Sequence, residues 1–127
     1  FFGIIDTLNN EMQYANCGQY PYPVFVSEGK IKTIEERAGM PLGLFKFAEY
    51  KSHEMKLPES FSFWLFSDGI LEIIPHEKIE KKLEMLHSSV ADDKTKTSEA
   101  MIRLKVENAP ELPDDIAVML IKRTKDA

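Results

Sequence analysis

Short apolar runs separated by turn-forming residues fill the first part of the chain. Residues 1–5 (FFGII) are an apolar run that predicts a buried strand, and residues 11–16 alternate polar and apolar side chains. Residues 24–26 and 31–34 are a second pair of apolar segments, and between them Gly29 can adopt the positive φ that a tight turn needs. This part of the sequence therefore predicts two β-hairpins.

Three further segments complete the predicted strands. Apolar residues between 45 and 57 predict one long strand, interrupted by the polar residues 51–54. Residues 61–66 (FSFWLF) and 116–121 (IAVMLI) are the two most apolar segments, and strands buried on both faces have this pattern. Residues 37–43 contain two glycines and a proline, which predicts a shaped loop rather than regular structure.

Two helices are predicted between the last two apolar strands. Ile79, Leu83 and Leu86 recur at helical spacing, and Pro75 suits the first helical position. A second, weaker pattern covers about residues 98–107. The order of hairpins, helices and a final strand predicts an α+β fold with mostly antiparallel sheets and helices packed outside them.

Composition narrows the possible partners. The 127 residues carry 16 Lys plus Arg against 21 Asp plus Glu, a net charge of −5, and the basic residues form no stripe, which argues against nucleic acid. No apolar run is long enough to cross a membrane.

We expect residues 1–127 to form a single unit, and the single Cys17 fits a cytoplasmic location. Because the sequence opens without Met on an apolar run, we expect it to be a later part of a longer protein.

Acidic residues adjoin both of the most apolar strands. Asp68-Gly69 follows the first strand, and Asp114-Asp115 precedes the second. If the strands are antiparallel neighbours, these acids share one sheet edge; if parallel, they lie at opposite edges. An oxygen-only set suits Mg²⁺ or Mn²⁺, which can activate water next to a phosphate. The alternative is that these residues merely form turns.

Other chemistry has weaker support in the sequence. His53, His76 and His87 lack the spacing of metal ligands. Ser67 lies outside any Gly-x-Ser-x-Gly elbow, so the sequence does not predict a nucleophilic serine. Cys17 has no neighbouring His to activate it, and we expect it to be buried as a small apolar group.

Four motifs, in order, resemble those of a known family. They are residues 14–19 (YANCGQ), 39–43 (GMPLG), 67–72 (SDGILE) and 113–118 (PDDIAV). Together they are similar to the C-terminal portion of the SpoIIE-like branch of the metal-dependent protein phosphatases, of the protein phosphatase 2C type. The resemblance implies an α-β-β-α sandwich with a binuclear Mn²⁺ or Mg²⁺ centre, whose activated water attacks phosphoserine or phosphothreonine.

The resemblance also implies roles for individual residues. Asp68 corresponds to the metal-binding aspartate of the Asp-Gly motif, with Gly69 beside it, and Asp114 corresponds to the last metal aspartate. Asp68 and Asp114 would bind the same metal. Asp115 would support these two ligands without binding the metal itself. The motifs that supply the bridging aspartate and another acidic ligand do not occur in this sequence, so the chain alone cannot complete the binuclear site. Gln19 also stands where the family usually has His.

The sequence and the resemblance are compatible with two functions. The first is a phosphatase that acts on a phosphorylated regulatory protein such as an anti-sigma-factor antagonist, under the control of an upstream sensor or receiver domain, as the resemblance implies. The second is a non-catalytic regulatory module that keeps the fold and binds a protein partner. In isolation, unpaired apolar strands would favour self-association or a partner chain, so we expect a non-monomeric state.

Overall fold

The computed structural model describes residues 1–35, 39–92, 94–109 and 111–125. Within these ranges the chain forms strands, three α-helices and a short 3₁₀ turn at Val106–Asn108. The strands are β1 (Phe2–Asp6), β2 (Glu11–Ala15), β3 (Val24–Ser27), β4 (Lys30–Thr33), β5 (His53–Lys56), β6 (Phe61–Phe66) and β7 (Val118–Arg123). The helices are α1 (Gly69–Ile73), α2 (Ile79–Val90) and α3 (Thr97–Arg103).

The strands form two antiparallel sheets. One has three strands in the order β1-β2-β5, and the other has four in the order β4-β3-β6-β7. Each recorded pairing between neighbouring strands is antiparallel. The predicted α+β class is therefore confirmed, as are both N-terminal hairpins, and Gly29 has the expected positive φ of 71°.

Strand β6 separates two apolar cores because its side chains alternate between the faces of the four-stranded sheet. Phe61 and Phe63 pack with Met12 and Tyr14 between the two sheets. Trp64 and Phe66 face the opposite way, into a core that includes residues from all three helices. The described layers are thus sheet, sheet and helices, with the helices covering the outer face of the four-stranded sheet.

The two sheet edges are less buried than the sequence predicts. The run at residues 1–5 becomes β1, in which Phe2 is 62% exposed and Ile4 56% exposed. Strand β7 is only partly buried, whereas β6 is almost fully buried. The prediction of burial on both faces is right for β6 and wrong for β1 and β7, because β1 and β7 lie at sheet edges.

The predicted long strand between residues 45 and 57 is wrong. Regular pairing covers only β5, and the preceding aromatic residues lie outside both sheets. Phe45 and Phe47 instead pack against each other, with ring centroids 5.3 Å apart, and Phe47 is 71% exposed. Of the predicted loop at 37–43, residues 39–43 are irregular as expected, and residues 37 and 38 lie outside the described ranges.

The helices differ from the predicted ones in their boundaries. Helix α2 begins at Ile79, so Pro75 is not its first residue. Helix α1 was not predicted, because its five residues are too few to show a helical period. The second predicted helix ends early: α3 stops at Arg103, and Lys105 adopts a left-handed conformation with φ of 58°, which interrupts the helix before the 3₁₀ turn.

None of the helices in the described ranges combines the length and apolar character needed to span a membrane.

Candidate functional site

The antiparallel pairing of β6 and β7 brings the two acidic motifs to one sheet edge. Phe66 at the end of β6 is paired with Val118 at the start of β7. Asp68 follows Phe66 closely in the chain, and Asp114 closely precedes Val118. Both aspartates therefore lie at the end of the sheet that this pair marks. A shared edge for the acids requires the two strands to be antiparallel neighbours, and in the structure they are. A parallel arrangement would have placed the acids at opposite edges.

Gly69 permits this close approach. A Cβ atom at residue 69 would collide with the main-chain carbonyl oxygen of Asp115 and would lie 3.4 Å from Cβ of Asp114. Glycine is therefore required by packing at this position, although its own φ lies in an ordinary region. The contact places the Asp-Gly turn directly against the Asp-Asp segment.

Ser67 joins the two segments through its hydroxyl group. Its Oγ donates to the carbonyl of Asp115 at 3.1 Å and accepts from the amide of Ala117 at 2.8 Å. Its own amide donates to the Ala117 carbonyl at 2.9 Å, while its carbonyl accepts from the amide of Ile70 at 3.2 Å. Ser67 thus continues the sheet with its hydroxyl while its carbonyl turns towards helix α1.

The two candidate metal ligands are exposed and locally ordered. Asp68 caps helix α1, and its Oδ1 accepts from the amide of Gly69 at 3.1 Å. Oδ1 of Asp114 accepts from the amide of Asp115 at 2.7 Å. These bonds occupy one oxygen of each carboxylate, and the second oxygen, Oδ2, receives no hydrogen bond from the described residues. Each carboxylate therefore keeps a free acceptor for a ligand.

The donor chemistry fits a hard divalent cation but supplies only part of its coordination. Asp68 and Asp114 offer carboxylate oxygens, the ligands that Mg²⁺ and Mn²⁺ prefer. Among the described residues, no three or more His, Cys, Asp or Glu side chains are arranged to hold a metal. A cation bound here would therefore need further oxygen ligands.

The loop after β2 reaches the same edge from the three-stranded sheet. Nε2 of Gln19 donates to the carbonyl of Phe66 at 2.6 Å. Buried Asn16 closes this loop: its Oδ1 accepts from the Gln19 amide at 2.7 Å, and its Nδ2 donates to the Gln19 carbonyl at 3.2 Å. No sequence pattern indicates the contact with Phe66, since it joins residues 47 positions apart.

An open cleft of about 520 Å³ lies between the sheets next to this edge. Its lining is mostly apolar and comes from β1, β2, β6 and β7, with Gln19 and Ser67 as polar members. Such a lining does not suit a phosphate. The carboxylates of Asp68 and Asp114 lie on the exposed edge, outside this lining.

The remaining candidates lie elsewhere. His53 stacks on Tyr14 with ring centroids 5.5 Å apart, and His76 and His87 lie before and within helix α2. Cys17 is a free thiol that is only partly buried, so the expected full burial is wrong because it lies in the irregular loop after β2.

Sequence comparison identifies a family profile that covers nearly the whole chain. The profile of stage II sporulation protein E (SpoIIE) matches residues 1–124. No curated protein sequence gives a significant match.

Solved structures share the fold at low sequence identity. The protein phosphatase 2C domain of SpoIIE from Bacillus subtilis, solved with a fragment of its regulatory domain, matches with a TM-score of 0.72 at 17% identity over 96% of this chain. The RsbU and RsbW domains of a Mycobacterium tuberculosis protein match with a TM-score of 0.73 at 19% identity over 98%. A Bacillus subtilis SpoIIE phosphatase domain presoaked with Mn gives a TM-score of 0.67 at 15% identity over 99%.

The matched region is only part of each of these structures. It spans 36% of the first chain, 37% of the second and 56% of the third. The predicted similarity to part of a larger domain agrees with these proportions, and its position in the C-terminal portion stays a prediction.

Proposed function

Because the chain belongs to the SpoIIE family, we propose that the whole protein is a metal-dependent serine/threonine protein phosphatase and that this chain supplies two ligands of one metal, Asp68 and Asp114. The observation that carries the proposal is their shared sheet edge, where Gly69 packs against the Asp114-Asp115 segment. The metal would be Mn²⁺ or Mg²⁺, and residues 1–127 would be the C-terminal portion of the phosphatase domain.

The chain's own residues would hold and orient the ligands. Asp68 and Asp114 each present one carboxylate oxygen, Oδ2, that receives no hydrogen bond from the described residues, while Oδ1 is held by a neighbouring amide. Ser67 fixes the separation of the two segments through its bonds to Asp115 and Ala117. When bound, the cation supplies Lewis-acid activation of water beside a phosphate. Asp115 would support the site, and its carbonyl already accepts from Ser67.

The substrate would be a phosphoserine or phosphothreonine in a regulatory protein, such as an anti-sigma-factor antagonist. Similarity to structures that contain a SpoIIE regulatory-domain fragment or an RsbW domain supports a role in regulation through protein partners. An upstream sensor or receiver domain would control the activity, and we place the protein in the cytoplasm.

The test is hydrolysis of a phosphoserine protein by the full-length protein with and without Mn²⁺. Asp114→Asn and Asp68→Asn should each lower the Mn²⁺-dependent rate at least about 100-fold, because each removes a negatively charged ligand. Glu111→Gln is the matched control, since it neutralises an exposed carboxylate shortly before Asp114 in the sequence that is not a proposed ligand. Equal rates for wild type and Asp114→Asn would contradict the assignment of the site.

A second candidate function is a non-catalytic module that binds a protein partner. One observation favours it: Gln19 stands where the resemblance predicts His. The same assay separates the two functions. A folded wild-type protein with no Mn²⁺-dependent turnover, which still binds the unphosphorylated regulatory protein, would support the module and overturn the phosphatase.

A further inference from the structure

We propose that Gln19 is a positioning residue for the candidate metal site, acting through the carbonyl of Phe66 on Ser67 and Asp68. Its role in metal binding rests on the proposed function, whereas its effect on the end of β6 does not. The side-chain amide donates to the Phe66 carbonyl at 2.6 Å and joins the loop after β2 to the strand that leads into Asp68.

The end of β6 needs such a contact because one neighbouring strand stops short of it. Pairing between β3 and β6 ends at Val24 opposite Trp64, two residues before Phe66. Phe66 itself is almost completely buried, and a buried carbonyl without a donor costs free energy. Gln19 supplies that donor, so the last residue of β6 is held on the side that β3 leaves open.

Gln19 is well placed to hold Phe66 because its own backbone is fixed. The side chain of Asn16 accepts from the amide of Gln19 and donates to its carbonyl, at 2.7 and 3.2 Å. The carbonyl of Asn16 in turn accepts from the amide of Gly39 at 2.7 Å. Asn16 is 4% exposed, so water competes little for these bonds.

The hydrogen bond from Gln19 to Phe66 affects the position of the candidate ligands through the residues that follow Phe66. Ser67 follows Phe66 directly and carries three contacts across to the Asp115–Ala117 segment. Asp68 is the next residue and caps helix α1. Displacement of the Phe66 carbonyl would therefore move both Ser67 and Asp68 relative to Asp114.

Gln19→Glu tests the inference because it keeps the shape of the side chain and removes the amide donor. Gln19→His should behave like wild type, since an imidazole N–H can also donate to the Phe66 carbonyl. Gln13→Glu is the matched control: Gln13 lies in β2, and its Nε2 donates to Glu54 at 3.0 Å, away from the site.

Two measurements on the full-length protein give independent readouts. In the metal-free protein, hydrogen exchange of the Ser67 amide should be about tenfold faster in Gln19→Glu than in wild type, Gln19→His and Gln13→Glu. Titration with Mn²⁺, followed by the electron paramagnetic resonance signal of the free ion, should show affinity about tenfold weaker in Gln19→Glu alone.

The outcomes separate the two proposals. Unchanged exchange and unchanged Mn²⁺ affinity in Gln19→Glu, in a wild-type protein that binds Mn²⁺, would overturn the positioning role and leave the phosphatase proposal intact. Faster exchange in a protein that binds no Mn²⁺ would support the hold on β6 and overturn the metal site. Equal acceleration by Gln13→Glu would show general loosening and would also overturn the specific role of Gln19.

Discussion

Ser67 occupies the point at which strand β6 gives way to helix α1. A residue at this junction has one carbonyl, which can point towards the neighbouring strand or into the first turn of the helix. In this structure the carbonyl serves helix α1, and the hydroxyl accepts the amide of Ala117 that the sheet would otherwise leave unpaired. The sequence predicts no nucleophilic role for Ser67 and carries no signal for this structural role, which depends on a residue 50 positions away.

Gly69→Ala is expected to destabilise the protein. The new Cβ would collide with the Asp115 carbonyl and force the two acidic segments apart. The cost should be about 2 kcal/mol in the free energy of unfolding, typical of overpacking, even though alanine favours helices over glycine. Urea denaturation would measure it.

Gly3→Ala provides the comparison for Gly69→Ala. At Gly3 the nearest atom to a new Cβ is a side-chain atom, Cε1 of the terminal residue Phe1, at 3.1 Å, and not a backbone atom, and the backbone needs no unusual φ. The Gly3→Ala variant should therefore unfold within about 0.5 kcal/mol of wild type. Equal stability of the two variants would show that the close approach at Gly69 is not a constraint.

At the scale of elements, the helices are held by side chains that reach the ends of their neighbours. Nη1 of Arg103 in α3 donates to the carbonyl of Ser89 at 2.9 Å and to Oγ1 of Thr95 at 3.0 Å. Nζ of Lys82 in α2 donates to the carbonyl of Leu71 in α1. These contacts satisfy acceptors that the helices and their connections leave free, and they join the three helices into one layer.

The burial of His87 in helix α2 predicts a dependence of stability on pH. Desolvation lowers the pKa of His87 below its ordinary 6.5, and the carboxylate of Glu35 offsets part of this shift. The unfolded chain therefore takes up a proton at higher pH than the folded protein does. His87 costs no stability above pH 6.5, and stability falls as the pH drops through 6.5 towards the lower folded pKa.

His87→Gln should remove this contribution. The difference in free energy of unfolding between wild type and variant should be constant from pH 7.5 to 8.5 and should shift in favour of the variant between about pH 6.5 and 5. Chemical denaturation across this range measures the difference, and the alkaline region serves as the internal control. A difference that stays constant down to pH 5 would contradict the stated effect of burial.

At the scale of the whole molecule, the two sheets leave apolar edges open to solvent. Phe2 and Ile4 on β1 and Met119 on β7 are exposed, and each belongs to a strand paired on only one side. Exposed apolar edge strands favour pairing with another chain. The earlier expectation of a non-monomeric state therefore stays a prediction, now with β1 as its most exposed candidate contact.

Sedimentation of the 127-residue chain should show a mass above that of the monomer at micromolar concentrations. Ile4→Lys places a charge on the β1 edge and should shift the chain towards monomer by at least about fivefold in dissociation constant. Ile31→Lys is the comparison, since it places the same charge on β4, the edge strand at the far side of the other sheet. Monomer mass for wild type throughout this range would contradict the prediction.

Sequence patterns alone predict the fold class, the two N-terminal hairpins, the buried strand β6 and the positions of the acidic motifs. These follow from local signals: turn residues between apolar runs, a continuous apolar segment and residue types at its ends. Local signals predict burial wrongly where the number of neighbouring strands decides how exposed a strand is. Apolar residues at β1 and β7 look buried in sequence, and only the order of strands shows that they lie at sheet edges.

Tertiary structure alone decided how the candidate site is assembled. The sequence placed Asp68 and Asp114 next to two strands, but only antiparallel pairing of β6 with β7 brought them to one edge. The contacts that fix this edge, from Gln19 to Phe66 and from Ser67 to Asp115 and Ala117, join residues 47 to 50 positions apart. Hydrogen bonds over such separations leave no periodic trace in a sequence, because they depend on where the folded sheets meet.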